Sequence, residues 1–206
     1  QMKVTPIQTR IFREGEDIVT FIGEHIEDLK DGSILAVTSK IVSLAEKRTV
    51  HVKGGLKEKI RLIKEESDIA METKVVWLSI KDGMFMTSAG IDESNGNKKY
   101  ILLPEDSYKA AALIRKELMK AYKLTKLGVL ITDSRCLPLR AGAVGLALGY
   151  AGFKGIRDYR GKPDLYGRKF VFSRADIADG LAASAVLLMG EGTERTPLAV
   201  IEHAPV

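Results

Sequence analysis

Cysteine is almost absent: Cys136 is the single thiol in 206 residues. One thiol cannot close a disulfide within the chain, so a reducing compartment is expected and a four-cysteine zinc site is excluded. The three histidines, His25, His51 and His203, are scattered and match no zinc-ligand spacing. No apolar run approaches the ~20 residues that a membrane helix requires. The N-terminal residues show no signal-peptide pattern, and Gln1 reads as an addition ahead of Met2. The chain also lacks a G-x-x-x-x-G-K-[ST] phosphate loop, so any nucleotide must be held in another way. It has no basic stripe interleaved with aromatics, which disfavours nucleic acid. No Ser/His or Cys/His arrangement suggests a protein nucleophile, and no catalytic residue of that kind is assigned. Together these absences predict a cytoplasmic protein whose partners are small molecules, with no nucleic acid and no membrane.

What is present is ordinary in amount and informative in pattern. Apolar residues make up 45% of the chain, enough for one large domain or two small subdomains. The net charge of +5 suits a small anionic substrate. Helical spacing runs through residues 14–29, and an apolar run at 34–37 reads as a buried strand. Residues 50–59 read as a basic loop and 56–71 as weakly helical. A strand at 75–80, the turn Asp82-Gly83 and residues 84–88 form a hairpin pattern. Ser107 opens a helix to about Tyr122, and 127–132 is an apolar strand ending at Asp133. The Gly- and Ala-rich stretch 141–155 permits close backbone approach. A strand ends at Val171 and Phe172. Ser173 and Asp176 then resemble a capping box for a helix to Met189, stopped by Gly190. A last strand covers 198–201. Strands and helices mix without regular alternation, which gives an α+β class.

Three acids share one setting, each where a regular element gives way to small or polar residues: Asp92 in AGIDESN, Asp133 in ITDSR and Glu191 in MGEG. Carboxylates held in this way suit magnesium or manganese, and Ser134 offers a neighbouring hydroxyl. Taken singly, each acid reads more readily as a turn former, a helix cap or an exposed loop residue. Thr38, Ser39 and Lys40 offer hydroxyls and a cation to phosphate, and Asn95 offers an amide to a base or ribose. His25 reads as structural and Cys136 as a buried or bystander thiol. The charged segment 157–168 reads as a solvated loop that an anionic acceptor or glutamate could also use.

The ordered blocks AGIDESN, ITDS, GLALGYAG with RDYRGKPDLYGR, and ADGLAASAVLLMGEG resemble the coenzyme F420:L-glutamate ligases. DGSILAVTSKIVSLAEKR is similar to that family's N-terminal nucleotide segment, and the resemblance spans residues 6–201. It implies an α+β fold of two intertwined subdomains with mixed and antiparallel sheets, covering residues 2–206 as one ligase-like domain. It also implies a homodimer. The implied activity joins L-glutamate to an F420-0-like acceptor carboxylate through an acyl phosphate. GTP would be the co-substrate, with two magnesium or manganese ions and room for a monovalent cation. Asp92 and Asp133 match ligands of one metal, and Ser134 and Glu191 match ligands of a second. Nucleotide contacts match Thr38, Ser39, Ser43, Asn95 and the loop 189–196, which holds Met189, Gly190, Gly192, Thr193, Glu194, Arg195 and Thr196. Gln8, Thr9, Arg10 and Ile11 match a further nucleotide segment, and Lys40 is assigned beside them.

The chain departs from that pattern in places. Leu44 stands where the family carries a lysine, with Lys40 or Lys47 as replacements. Ser134-Arg135-Cys136-Leu137-Pro138 replaces a Gly-Arg continuation, and Ala178-Asp179-Gly180 replaces Ala-Asp-Glu. The segment between Arg48 and Val75 reads as shortened, and the family's chain continues beyond the position of Val206. Phosphoryl chemistry with an altered acceptor pocket is the resulting expectation. A folate-type acceptor and a catalytically silent nucleotide-binding dimer are the alternatives.

Overall fold

An uninterrupted apolar run is tolerated in a strand only when both faces of the sheet are covered. The computed structural model, which describes residues 1–94 and 96–206, places the runs at 34–37 and 129–131 in that situation. In chain order the elements are β1 (Lys3–Ile7), α1 (Ile18–His25), β2 (Ile34–Thr38), α2 (Ser39–Ala45), β3 (Thr49–His51), α3 (Gly55–Glu65), β4 (Ile69–Glu72), β5 (Trp77–Lys81) and β6 (Met84–Thr87). There follow β7 (Lys99–Ile101), α4 (Ser107–Ala121), β8 (Gly128–Cys136), β9 (Ala143–Ala151), β10 (Ile156–Asp158), β11 (Arg174–Asp176), α5 (Ile177–Met189) and β12 (Leu198–Glu202). The fold is α+β, as the mixed pattern predicted.

The main sheet has the order β1-β12-β2-β8-β9, with β2 and β8 parallel and every other neighbour antiparallel. Alternate side chains leave opposite faces of a strand. Leu35, Val37, Val129 and Ile131 therefore pack with Phe21, Ile22, Ala111, Ile114 and Leu118 of α1 and α4. Ile34, Ala36, Leu130, Ala199 and Ile201 pack with Leu181, Ala182, Ala185 and Met189 of α5. A smaller core holds Leu62, Ile63, Ala89, Ile91, Tyr100 and Leu102, beside the sheet β4-β5-β6 and the pair β3-β7. Asp82 and Gly83 both take positive φ, 53° and 72°, in the β5–β6 hairpin, as the Asp-Gly signal predicted.

The Gly- and Ala-rich stretch is a strand that sequence patterning did not reveal. Its small residues admit two helices, one on each face. A Cβ on Gly145 would lie 2.6 Å from the Ala182 carbonyl oxygen of α5, and one on Gly149 would lie 2.4 Å from the Ser107 carbonyl carbon of α4. Both positions are odd-numbered and would share a face in a regular strand. A bulge makes Ile131 pair with Gly149 and Thr132 with Ala147, leaving Leu148 extra, and so moves the two glycines to opposite faces.

Other boundaries moved for local reasons. The helix expected over 14–29 is confined to Ile18–His25, because the Asp17 carboxylate caps it by accepting from the Thr20 N–H at 2.7 Å. Ser39 and Lys40, read as lying at the end of the first strand, open the helix α2. Residues 69–71, expected as the end of a weak helix, belong to β4, which pairs with β5, and α3 begins inside the expected basic loop. The strand expected to end at Phe172 lies at Arg174–Asp176. The cap of α5 is Asp176, which accepts from the Asp179 N–H at 2.9 Å, and not Ser173. The strand expected to end at Asp133 continues to Cys136.

Candidate functional site

A cavity of about 980 Å³ opens where the main sheet, the smaller core and the loop after α5 meet. Its walls come from four separated segments, 9–12, 38–44, 86–103 and 132–135, and from the loop 189–197. Of the residues assigned from the sequence, Thr9, Arg10, Ile11, Thr38, Ser39, Lys40, Ser43, Met189, Gly190, Gly192, Thr193, Glu194, Arg195 and Thr196 line it. Asp92, Asp133, Ser134 and Glu191 do so as well. Gln8 is not among the lining residues, and Asn95 lies outside the described residues.

Asp92 is presented by a strained turn. Ser88, Ala89 and Gly90 take positive φ of 50°, 55° and 69°, which costs a non-glycine residue about 1–2 kcal/mol. The buried Ser79 hydroxyl secures this turn. It donates to the Met86 carbonyl at 3.0 Å and accepts from the Ala89 N–H at 2.8 Å. Asp92 then pairs its backbone with Ile101. Lys40 Nζ lies 2.7 Å from its Oδ2, while the Ser94 N–H and hydroxyl donate to the carboxylate at 2.7 and 2.9 Å. Burial alone would raise the Asp92 carboxyl. Lys40 and Ser94 outweigh it and hold the group below the usual aspartate range.

Asp133 lies inside β8 and has the opposite balance. Its Oδ1 accepts from the Ser39 hydroxyl at 3.3 Å, and Arg135 Nε donates to Oδ2 at 3.4 Å. Burial prevails over these long contacts and pushes the carboxyl up. Ser134 leaves the other face of the strand and donates to Glu191, which follows the α5 C-terminus. Gly190 makes that exit possible with φ 78°, where a Cβ would also meet the Glu194 carboxyl. The loop is fixed further by the Thr196 hydroxyl donating to the Met189 carbonyl, and by the Thr9 N–H donating to the Arg195 carbonyl at 2.8 Å.

The donor set of two aspartates, a glutamate and a hydroxyl is the oxygen chemistry that magnesium or manganese favours. Each acid is at present engaged by a cation or hydroxyl. Among the described residues no three His, Cys, Asp or Glu side chains stand close enough to hold a metal ion. Metal binding would therefore require Lys40 to release Asp92 and the Ser39 hydroxyl to turn away from Asp133 Oδ1, while Arg135 can keep Oδ2. Leu44, read from the resemblance as replacing a lysine, lines the cavity, and so does Lys40, whereas Lys47 lies against Gly15 and is not among the lining residues.

Arg135 was not singled out from the sequence as a site residue, since an arginine next to Cys136 in an apparent strand end carries no pattern. It is only 5% exposed, and its Nη2 has no hydrogen-bond partner among the described residues. The Ser43 hydroxyl is likewise buried and unpartnered. His25 is structural, as read: its Nδ1 lies 2.8 Å from the Phe21 carbonyl and its Nε2 accepts the Arg10 N–H at 3.2 Å. Cys136 is exposed rather than buried. The charged segment 157–168 contributes nothing to the lining of this cavity.

An α+β scaffold that gathers carboxylates, hydroxyls and cations from distant segments around one cavity defines a class: α+β proteins with a charged, polar cavity where their sheets meet. Comparison with known proteins narrows that class. The chain belongs to the F420-0:gamma-glutamyl ligase family, whose sequence model matches residues 6–203. It is 31% identical to the coenzyme F420:L-glutamate ligase of Methanopyrus kandleri, over 97% of this chain and 85% of the relative. It is 32% identical to that of Methanocaldococcus jannaschii, over 100% and 89%. It is 34% identical to that of Methanothermobacter thermautotrophicus, over 91% and 81%. No helix of the described residues is long and apolar enough to cross a membrane.

Proposed function

We propose that the protein is an acid–amino-acid ligase that uses GTP and a divalent cation to join L-glutamate to the carboxylate of an F420-0-like acceptor. The observation that carries this reading is the meeting of Asp92, Asp133, Ser134 and Glu191 on one cavity, from segments far apart in sequence. A carboxylate does not condense with an amine at neutral pH. In the proposed reaction an acceptor carboxylate oxygen attacks the γ-phosphorus of GTP, giving an acyl phosphate and GDP. The glutamate amine then attacks the acyl carbon, phosphate leaves with the C–O bonding pair, and the amine loses its proton to solvent.

The residues divide this work. Asp92, Asp133, Ser134 and Glu191 would hold magnesium or manganese, which supplies charge neutralisation of the phosphates when bound. Thr38, Ser39, Ser43 and the loop 189–196 are assigned to the nucleotide. Lys40 would exchange Asp92 for a phosphate oxygen. Leu44 and the altered segment 134–138 fit an acceptor pocket that differs from the family pattern, so a folate-type acceptor stays within this reading. We also infer a homodimer: the arm from β10 to β11 exposes Leu165, Tyr166 and Phe172 almost fully, an apolar surface suited to a second copy.

Incubation with GTP or ATP, magnesium or manganese, L-glutamate and a panel of acceptors tests the reading. Glutamate-dependent phosphate release with one acceptor supports it. A second reading, a silent nucleotide-binding dimer, is favoured by the engagement of every assigned metal acid within the chain. It is supported if nucleotide binds and no acceptor turns over.

A further inference from the structure

Four cations line the cavity, Arg10, Lys40, Arg135 and Arg195, and the three that make ion pairs among the described residues differ in how they are spent. Arg10 is held by Glu16 and Glu24 at 2.8 Å each. Lys40 is held by Asp92. Arg135 alone of these three is buried with an edge to spare. Its Nε is committed to Asp133 by a long 3.4 Å contact, and its Nη2 is shielded from solvent with no partner among the described residues. A buried guanidinium nitrogen left unmatched costs about 1–3 kcal/mol or more, because its hydration is lost without a replacement. Such a group persists where a ligand completes it.

We infer that Arg135 is a phosphate-binding residue of this cavity, whose free edge takes an oxygen of a nucleotide's phosphate chain while Nε stays on Asp133. Three features support this. Arg135 is a lining residue of the cavity and its guanidinium contacts Asp133, which also accepts from Ser39. A planar fork can serve two oxyanions at once, a carboxylate on one edge and a phosphate on another, which an ammonium cannot do with fixed geometry. Its burial excludes competing water, so a bound phosphate oxygen would meet it at low dielectric. The inference rests on the nucleotide reading proposed above and adds a residue to it.

The test measures calorimetric binding of GTP, guanosine and inorganic tripolyphosphate to the wild-type protein, Arg135→Gln and Arg135→Lys, with thermal unfolding of each. The expected result is a loss of about 10-fold or more in GTP and tripolyphosphate affinity in Arg135→Gln, as for a lost charged hydrogen bond. Guanosine binding is expected to be unchanged. Arg135→Lys keeps the charge for Asp133 but not the second edge, so it decides the matter if the glutamine variant does not fold. The same phosphate-selective loss is expected there. Unchanged GTP and tripolyphosphate affinity in Arg135→Lys, with only a lower unfolding temperature, would overturn the inference and make Arg135 a counter-ion of Asp133. If the wild-type protein does not bind GTP, the ligase reading fails by itself. Tripolyphosphate then decides alone: Arg135-dependent binding supports the inference and its absence overturns it.

Discussion

Lys40, in the first turn of α2, reaches across the cavity to Asp92 and closes a 2.7 Å ion pair between the C-terminal end of β2, the main sheet's central strand, and the smaller core. The pair is half-buried and is supported by Ser94 on the carboxylate side and by the Ser94 carbonyl on the ammonium side at 3.1 Å. It links two walls of the site through the residue that the sequence marks most strongly.

Asp92→Asn and Asp133→Asn are each expected to abolish glutamate-dependent phosphate release while the far-ultraviolet dichroism stays native. Lys40→Met should raise the Asp92 carboxyl toward the ordinary range, because the cause that overcomes burial is removed. Titration of that carboxyl by NMR in the two proteins checks the direction. Full turnover in either aspartate variant would remove that residue from the metal assignment.

Glu66 joins Arg48 at 2.6 Å and Lys81 at 2.8 Å in a largely buried triad. Burial opposes its ionisation, but the two cations prevail and its carboxyl is held below the usual glutamate value of 4.5. A depressed carboxyl stabilises the fold above the unfolded-state pKa, and that contribution disappears as pH falls through the folded-state pKa. Glu66→Gln is therefore expected to lower stability by about 1–3 kcal/mol at pH 7, discounted from the cost of breaking a fully buried pair. The difference from wild type should shrink below pH 4.5. Denaturant unfolding at pH 7 and pH 3.5 measures both.

Gly149 and Gly180 make an opposed pair of tests. Gly149→Ala would drive a methyl into the Ser107 backbone and is expected to cost about 1–3 kcal/mol by overpacking β9 against α4. Gly180 is exposed, near the start of α5, with open space around it. Gly180→Ala should stabilise the protein by about 0.5–1 kcal/mol through helix propensity. Thermal unfolding of the two variants in the same buffer gives opposite signs if the placement of β9 is right.

Ser79→Ala removes both hydrogen bonds that secure the left-handed turn at 88–90, one of which satisfies the Ala89 N–H. A loss of about 1–3 kcal/mol is expected from the unsatisfied buried N–H. Faster amide exchange at Ala89 and Asp92 is the specific signature. A uniform change across the chain would show that Ser79 acts only through packing.

The sequence alone determined a good deal. The apolar runs at 34–37 and 129–131, the Asp-Gly hairpin and the amphipathic pattern of α4 are local signals, and each became the element it predicted. Nearly all of the residues assigned through the resemblance line one cavity, although they come from separate segments; their roles toward metal and nucleotide remain proposals. Arg135 and Ser79 were not legible: a buried arginine and a buried serine announce nothing in one dimension, and their roles arise from what packs around them. Only the tertiary structure decided that the Gly-rich stretch is β9. Glycine and alanine give no strand periodicity, and the reason for them is the approach of α4 and α5 to opposite faces across a bulge. The same limit applies to the acids. Their spacing fixed that they are acids near turns, but the packing of Lys40, Ser94, Arg135 and Ser39 decided that Asp92 is held below the usual range and Asp133 above it, since a pKa depends on burial and on charges brought near by the fold.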